Sequence, residues 1–330
     1  MRRAEKIPVP KASSDELFDG RLRAFAPKKN AALLLLPLSG SNELVGRGIL
    51  NACLLAGGNA KNIDFYVLDT ADHEKHATLC RLRHKNFIAI IGPVFFQEVA
   101  RYGALFQRTP ILSFSNNLKI NSDHVFACGL SPEDEIHALF AYADSQQINS
   151  FLTMLPDGEL GNQIQDIIKR ELKKYGLEEG EDLEILRYSS ISRKAATKYV
   201  NNSNKKAVFV INPIINISKL ENAQVFTLSS AALSVGNTWE GAVFAFSDNP
   251  EQQEFIAKYC AVFGAQPSVL DMIGCDLMKI VKESIKYERP IVQNFHIGCL
   301  GEFFIDKERG LQRKLSIYRR TDSGKEELLQ

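Results

Sequence analysis

Four side chains that can bind a metal ion recur at helical spacing in the first third of the chain. They are His73, His76, Cys80 and His84, separated by three, four and four residues. Imidazole and thiolate groups are good zinc ligands, and residues three or four apart lie on one face of a helix. However, a single helix cannot surround a tetrahedral ion with four ligands along its own length, and Ala77 lies in the same stripe. We therefore predict a half-buried packing face at this place and no metal site.

Motifs of the common catalytic classes do not occur in the sequence. It contains no GxSxG, GxxxxGKS/T or HExxH, and Gly46-Arg47-Gly48 lacks the third glycine of GxGxxG. The 40 basic and 39 acidic side chains give a formal net charge of +1, which favours neither nucleic acid nor an anionic membrane. The sequence therefore predicts no catalytic residue, no cofactor and no nucleic-acid partner, and it predicts a protein that is not an enzyme.

The stretch from Asn30 to Gly58 combines a buried strand with the start of a helix. Its apolar run, Ala31 to Leu36, is too short to span a membrane and suits a strand that helices cover on both faces. A polar turn containing Ser39 and Ser41 follows, and a helical pattern begins directly after it. Backbone N–H groups of such a loop point to the place where open α/β sheets bind ligands. This pattern favours a binding protein over an enzyme.

Strand-like apolar runs alternate with helical stripes along the rest of the chain, which is the pattern of a parallel α/β sheet. Further strands are predicted near residues 63–68, 87–91, 110–114, 124–127, 151–155, 183–188, 207–211, 225–228 and 241–246. Capping residues followed by proline predict helix starts at Ser131-Pro132 and Asn249-Pro250. The segment from Leu311 to Arg320 alternates imperfectly and is predicted to be one edge strand protected by its charges.

Several segments, in their order along the chain, resemble proteins with the type I periplasmic-binding fold, the group that contains branched-chain amino-acid receptors. The segments are LLLPLSGSNELVGRGILNACLLA (residues 34–56), IAIIGPVF (88–95), TPILSFSNN (109–117), GLSPEDEIHAL (129–139), MLPDGELGN (154–162) and GAQPSVLDMIGCDLMKIV (264–281). The block GEFFIDKERGLQRKLSIYRR (301–320) resembles more narrowly the LppC-like lipoproteins called penicillin-binding protein activators. Together the segments extend over roughly residues 29–320.

The resemblance implies a two-lobed α/β fold, in which each lobe is a mostly parallel sheet flanked by helices and the chain makes three crossovers. We assign residues 30–130 and 249–301 to lobe 1, and residues 131–248 and 302–330 to lobe 2. Residues 1–29 are polar, contain three prolines and are predicted to be a tether or N-terminal arm.

In this fold, loops of the two lobes face each other across a cleft, so the resemblance implies a set of ligand-binding residues. The candidates are Ser39, Ser41, Phe95, Ser113, Ser115, Asn116 and Asn117 from the first lobe, and Asp157 and Glu159 from the second. Hydroxyl and amide groups can hold a carboxylate or a sugar, and a carboxylate can meet an ammonium group. The alternative is that these residues only form turns and cap helices.

Two departures from the amino-acid receptors bear on function. Phe95 and Phe96 occupy the place where those receptors carry small hydroxylated residues, and Asn116-Asn117 replaces their Ala-Thr. The rings would partly fill a small polar pocket, unless they turn inward and pack as core. The main hypothesis is therefore a noncatalytic regulator of peptidoglycan synthesis, similar to penicillin-binding protein activators, that docks on a peptidoglycan synthase. The alternative is a substrate-binding receptor that delivers an amino acid-like ligand to an ABC transporter.

The N-terminal sequence and the cysteines bear on location. MRRAEKIPVPKASSDELF lacks the apolar core of a signal peptide, so the chain is either cytoplasmic or lacks an upstream export segment. The resemblance implies the second case, a periplasmic protein with a lipid anchor in a segment missing from this chain. The six cysteines form no CxxC pair and lie mostly in apolar patterns, which predicts buried free thiols and weighs against a strongly oxidising compartment.

Overall fold

The protein is described from a computed structural model, which covers residues 30–330 except 59–62, 73–81, 83–85, 188–191, 212–222, 234–238, 248, 293, 309 and 322–325. The predicted N-terminal arm and the His73 to His84 spacing lie outside the described residues. The chain divides into two compact units: unit 1 is Met1–Leu130 with Asp248–Arg313, and unit 2 is Ser131–Ser247 with Lys314–Gln330.

Strands and helices alternate along most of the described chain. The strands are β1 (Ala31–Leu36), β2 (Asp64–Asp69), β3 (Ala89–Ile91), β4 (Ile111–Ser113), β5 (Val125–Ala127), β6 (Phe151–Leu155), β7 (Leu183–Arg187), β8 (Ala207–Val210), β9 (Gln224–Phe226), β10 (Val243–Phe246), β11 (Phe295–Gly298), β12 (Gly301–Asp306), β13 (Gly310–Arg313), β14 (Ser316–Arg320) and β15 (Glu326–Leu328). The helices are α1 (Glu43–Gly57), α2 (Phe96–Leu105), α3 (Pro132–Ser145), α4 (Glu159–Lys174), α5 (Arg193–Asn202), α6 (Ser229–Ala232), α7 (Pro250–Phe263) and α8 (Val269–Tyr287).

A five-stranded parallel sheet forms the centre of unit 1, in the order β2-β1-β3-β4-β5. All six residues of β1 are buried, as expected for a strand whose two faces are both covered. The helices α1 and α8 pack together, and the Cys53 thiol of α1 donates to Gly274 O of α8 at 3.4 Å. The predicted strands of this part of the chain are confirmed, with ends that differ by one or two residues.

The helix starts predicted from capping residues are also confirmed. Ser131 Oγ accepts a hydrogen bond from Asp134 N, and Asn249 Oδ1 accepts one from Glu251 N, with a proline at the first helical position in both cases. Because each side chain satisfies an N–H group that the helix itself leaves free, these two positions define where α3 and α7 begin.

Unit 2 contains a seven-stranded sheet in the order β15-β14-β10-β9-β8-β6-β7. The strands β6 to β10 are parallel to one another, whereas β14 is antiparallel to β10 and β15 is antiparallel to β14. Alternate residues of β6 enter two different cores: Phe151 and Leu155 pack with residues of α3 and α4, while Leu152 and Met154 pack with residues of α5. Helices therefore cover both faces of this sheet.

An antiparallel sheet of β11, β12 and β13 completes unit 1. Because this sheet belongs to unit 1, the third passage of the chain between the units lies after Arg313, at the end of β13, and not near residue 301 as predicted. The assignment of residues 302–313 to the second lobe is not what the structure shows, because β12 pairs with β11 and β13 pairs with β12, all within unit 1. The prediction of one edge strand from Leu311 to Arg320 is wrong. The segment is split into β13 and β14, and β14 lies between β10 and β15.

Candidate functional site

The carboxyl ends of three adjacent parallel strands carry the predicted ligand-binding residues of unit 1. Because β1, β3 and β4 are neighbours in one parallel sheet, the loops that follow them lie at the same edge. This places the candidates of the first lobe at one edge: Ser39, Ser41, Phe95, Ser113, Ser115, Asn116 and Asn117. The structure thus places the seven predicted ligand-binding residues of unit 1 at the same edge of one sheet.

Two of these serines hold the loops in place. Ser113 is fully buried, and its hydroxyl donates to Pro93 O at 2.9 Å while it accepts from Ser115 N at 3.2 Å. The Ser115 hydroxyl accepts from Asn117 N at 3.1 Å. The Ser113 hydroxyl has only one proton, and this proton is already hydrogen-bonded to Pro93 O. Ser113 therefore supports the loop and presents no free donor to a ligand.

The remaining groups at this edge are more accessible. Ser39, Ser41 and Asn116 are exposed, and Phe95, the residue before α2, is partly buried. The side chain of Phe96 is 46% exposed. Phe96 therefore does not pack as core, and it gives this edge an apolar surface next to its exposed hydroxyl and amide groups.

Asp157 and Glu159 belong to unit 2, in the turn that joins β6 to α4. Both are exposed, and Glu159 Oε1 accepts a hydrogen bond from Gln163 Nε2 at 3.2 Å. The guanidinium of Arg187 supports this turn by donating to Pro156 O at 2.6 Å. The predicted residues therefore form two sets, one in each unit.

Sequence reasoning missed a buried carboxyl group in unit 2. Glu135 lies in the first turn of α3 and is only 4% exposed. It accepts hydrogen bonds from Ser229 N at 2.6 Å and from Ser229 Oγ at 3.0 Å, and so joins α3 to the start of α6. Burial raises the pKa of Glu135 to about 7, although both bonds from Ser229 lower it. An acidic residue in a first helical turn looks like an ordinary dipole partner in the sequence, so nothing there signals its burial.

Replacing Glu135 with glutamine is expected to remove part of the pH dependence of the stability of unit 2. A folded-state pKa raised from 4.5 to about 7 means that the stabilisation is present below the unfolded pKa and is lost as the pH rises through about 7. This loss amounts to about 3 kcal/mol for wild type. Urea unfolding near pH 5 and pH 8, followed by fluorescence of the single, buried Trp239 of unit 2, measures it. The exposed Glu159→Gln serves as the control, and an unchanged pH profile in Glu135→Gln would contradict the assignment.

Unit 1 has an exposed apolar area around its three-stranded sheet, which we call the β11 surface. It consists of Tyr287, Phe295 and Ile297, whose exposed fractions are 51%, 82% and 55%. The β11 strand is at one end of the sheet order, so among the described strands it has a partner on one side only. Beneath the strand, His296 Nδ1 lies 2.6 Å from Glu283 Oε2 of α8 and fixes the strand to that helix.

A groove of about 430 Å³ runs along the β11 surface, between the end of α8 and β11. Its lining contains a basic and an acidic side chain, Arg289 and Glu283, and Arg289 Cζ lies 5.4 Å from the centroid of the Tyr287 ring. Large side chains that alternate outward on an edge strand are typical of an interaction surface. The exposed apolar side chains suit a partner segment that is itself apolar.

Two mostly parallel sheets flanked by helices, with three passages of the chain between the units, define a periplasmic-binding-protein-like α/β fold. No family model matches the chain. Over 219 residues it is 23% identical to the penicillin-binding protein activator LpoA of Haemophilus influenzae, a match that covers 62% of this chain and 37% of that protein. The chain therefore matches little more than a third of the length of this relative.

Solved structures agree with this similarity. The C-domain of Haemophilus influenzae LpoA, described as a regulator of PBP1A, matches with a TM-score of 0.67 and 19% identity, over 91% of this chain and 100% of that domain. A leucine binding protein of Thermotoga maritima matches with a TM-score of 0.62 and 15% identity, over 91% and 97% of the two chains. The predicted resemblance in sequence and fold is confirmed. None of these relatives is named as an enzyme.

Within the described residues, no helix combines the length and the apolar character needed to cross a membrane.

Proposed function

We propose that this protein regulates peptidoglycan synthesis in the manner of a penicillin-binding protein activator, by docking on a peptidoglycan synthase and without catalysing a reaction. The observation that carries the proposal is the β11 surface, an apolar edge strand whose Phe295 is 82% exposed. The sequence similarity to LpoA and the match over the whole LpoA C-domain support it. The hydrogen bond from the Ser113 hydroxyl to Pro93 O is further support, since it reduces the number of free donors for a small ligand.

The same proposal includes a periplasmic location with a lipid anchor supplied outside this sequence. Its support is again the similarity to a penicillin-binding protein activator. Fractionation of host cells with an antibody against the chain tests it, and recovery in the cytoplasmic fraction alone would contradict it.

Replacing both Phe295 and Ile297 with serine is expected to weaken binding to a bifunctional penicillin-binding protein of the host by tenfold or more. Exposed aromatic side chains that become buried in an interface contribute a large share of its affinity, and about 1.4 kcal/mol corresponds to a factor of ten. Surface plasmon resonance with the purified synthase measures the dissociation constants. Leu44→Ser is the matched control, because Leu44 is also in unit 1 and is 86% exposed.

Two outcomes would count against these ideas separately. If wild-type protein binds no bifunctional penicillin-binding protein, the proposed function fails. If wild type binds and the double variant binds equally well, the function stands but the β11 surface is not the docking site.

The second candidate function is a receptor for a small ligand of an ABC transporter. The exposed hydroxyl and amide groups of Ser39, Ser41 and Asn116, at the edge where parallel α/β sheets bind ligands, favour it. A thermal-shift screen with amino acids, nucleosides and short muropeptides separates the two candidates, because a ligand that binds the native state raises its melting temperature. A clear shift with one free small molecule, lost in Asn116→Ala, favours the receptor.

A further inference from the structure

Two cysteines that are distant in sequence meet inside unit 1. Cys275 lies in α8, Cys299 lies in the turn between β11 and β12, and each is 1% exposed. Their Sγ atoms are 2.7 Å apart. Non-bonded sulfur atoms stay considerably further apart than this, whereas bonded ones are about 2.05 Å apart. We propose that Cys275 and Cys299 form a disulfide bond, although their spacing in the sequence gives no sign of one.

The neighbouring carboxylate positions the turn for this bond. Asp276 Oδ1 accepts from Cys299 N at 2.5 Å, and Oδ2 accepts from Leu300 N at 3.3 Å. A Cβ atom at Gly298 would lie 2.2 Å from Asp276 Oδ1, so the turn can approach this closely only with glycine there. Because Asp276 follows Cys275 directly in the chain, the contacts that hold the turn also bring the Cys299 sulfur to the Cys275 sulfur.

The other described cysteines of unit 1 have different surroundings. The Cys53 thiol donates to Gly274 O at 3.4 Å, and the Cys128 thiol donates to Phe126 O at 3.5 Å. Both are buried, and Cys260 is partly exposed on α7. Among the cysteines that the structure describes, the geometry therefore selects one pair.

A metal ion is the competing occupant, since the two thiols and the Asp276 carboxylate lie within 4.8 Å of one another. However, Asp276 already accepts two backbone N–H groups, and Arg313 Nη1 lies 2.9 Å from its Oδ2. Contact with the Cys299 thiol and burial raise the pKa of Cys275 well above its usual range. Zinc requires thiolates and free carboxylate lone pairs, so the cluster suits a covalent sulfur–sulfur bond better.

The bond forms by thiol–disulfide exchange while the chain folds and the thiols are still accessible. One thiolate attacks an external disulfide and releases one thiol, and the second protein thiolate then displaces the other half of the oxidant. The protein loses two hydrogen atoms and becomes oxidised, and the external disulfide is reduced to two thiols. The proposed periplasmic location supplies such a disulfide-bearing oxidant in the cell, and oxidised glutathione supplies it in the test tube.

Refolding the full chain with oxidised glutathione tests the proposal. After denaturation without reductant, four of the six cysteines should react with a thiol reagent, the intact mass should be lower by two hydrogen atoms, and a digest should contain one peptide pair that links Cys275 to Cys299. Dithiothreitol should lower the melting temperature by about 5–15 °C, since a disulfide stabilises by about 2–4 kcal/mol. This shift should be absent in the double variant Cys275→Ser/Cys299→Ser and present in Cys260→Ser.

Three results would overturn the proposal: six reactive thiols after oxidative refolding, a linkage between other cysteines, or stoichiometric zinc by elemental analysis that the double variant lacks. If the double variant does not fold, the peptide map of wild type still decides. No synthase is used in this experiment, so a failure here is distinct from a failure of the proposed function.

Discussion

Replacing Arg313 with methionine is expected to destabilise unit 1 by about 3–5 kcal/mol. The guanidinium and the carboxylate of Asp276 are 2.9 Å apart, and their side chains are only 5% and 0% exposed. Arg313 also donates to Leu300 O at 2.9 Å and lies over the ring of Phe303. Without Arg313, the charge of Asp276 remains buried and loses the cation that pairs with it. Denaturant unfolding followed by circular dichroism, with hydrogen exchange of the β12 and β13 amides, measures the loss.

The pH dependence of this loss separates charge from packing. Burial already raises the pKa of Asp276, and Arg313 opposes that rise. Without the arginine the pKa of Asp276 rises further. The protonated Asp276 carboxyl then stabilises the folded state at a pH below its unfolded pKa, and this stabilisation is lost as the pH rises through the folded pKa. The variant should therefore lose more stability near neutral pH than in acid. Arg170→Met is the control, because the pair of Arg170 and Glu133 is exposed and should contribute less than about 1 kcal/mol. A pH-independent loss in Arg313→Met would contradict the electrostatic explanation.

Replacing Gly92 with alanine is expected to destabilise unit 1 by about 3 kcal/mol or more. Gly92 follows β3 and has φ +104°, a conformation that an L-residue rarely adopts. A Cβ atom there would lie 2.1 Å from Leu35 O in the buried strand β1, so the sheet itself would have to shift. The melting temperature and the urea midpoint of the purified variant measure the effect.

Gly40→Ala is the matched control for this substitution. Gly40 also has a positive φ, +73°, but a Cβ atom added there would have no heavy atom within 4 Å among the described residues beyond its chain neighbours. Its replacement should cost only the conformational strain, about 1–2 kcal/mol. Equal losses in the two variants would show that contact with Leu35 O does not determine the effect.

The parallel sheets could be predicted because each strand has a local signal. The run from Ala31 to Leu36 is apolar throughout, and the structure buries every residue of it. The three-stranded sheet could not be predicted in the same way, because β11 buries only alternate residues and leaves Phe295 and Ile297 outward. Its strands are also short and contain glycine, so the pairing of β12 with β11 and with β13 shows only in three dimensions.

The candidate site shows a similar limit. The order of strands and loops was enough to predict which residues of unit 1 share an edge of the sheet. It was not enough to predict that the Ser113 hydroxyl donates to Pro93 O, because that contact joins the end of β4 to the loop after β3, 20 residues earlier in the chain. The pairs of Glu135 with Ser229 and of Cys275 with Cys299 are likewise long-range contacts, and neither leaves a spacing that a single sequence can reveal.

The interleaved order of the two units has a consequence for synthesis on the ribosome. Strands β6 to β10 are complete once residue 246 has been made. Strand β14, which pairs with β10, and strand β15, which pairs with β14, are formed only by residues 316–328. During translation of the residues between them, the N–H and C=O groups along one side of β10 await their antiparallel neighbour. A nascent chain paused in that interval would present an unfinished sheet, and we expect chaperones to bind it there more readily than after β14 has emerged.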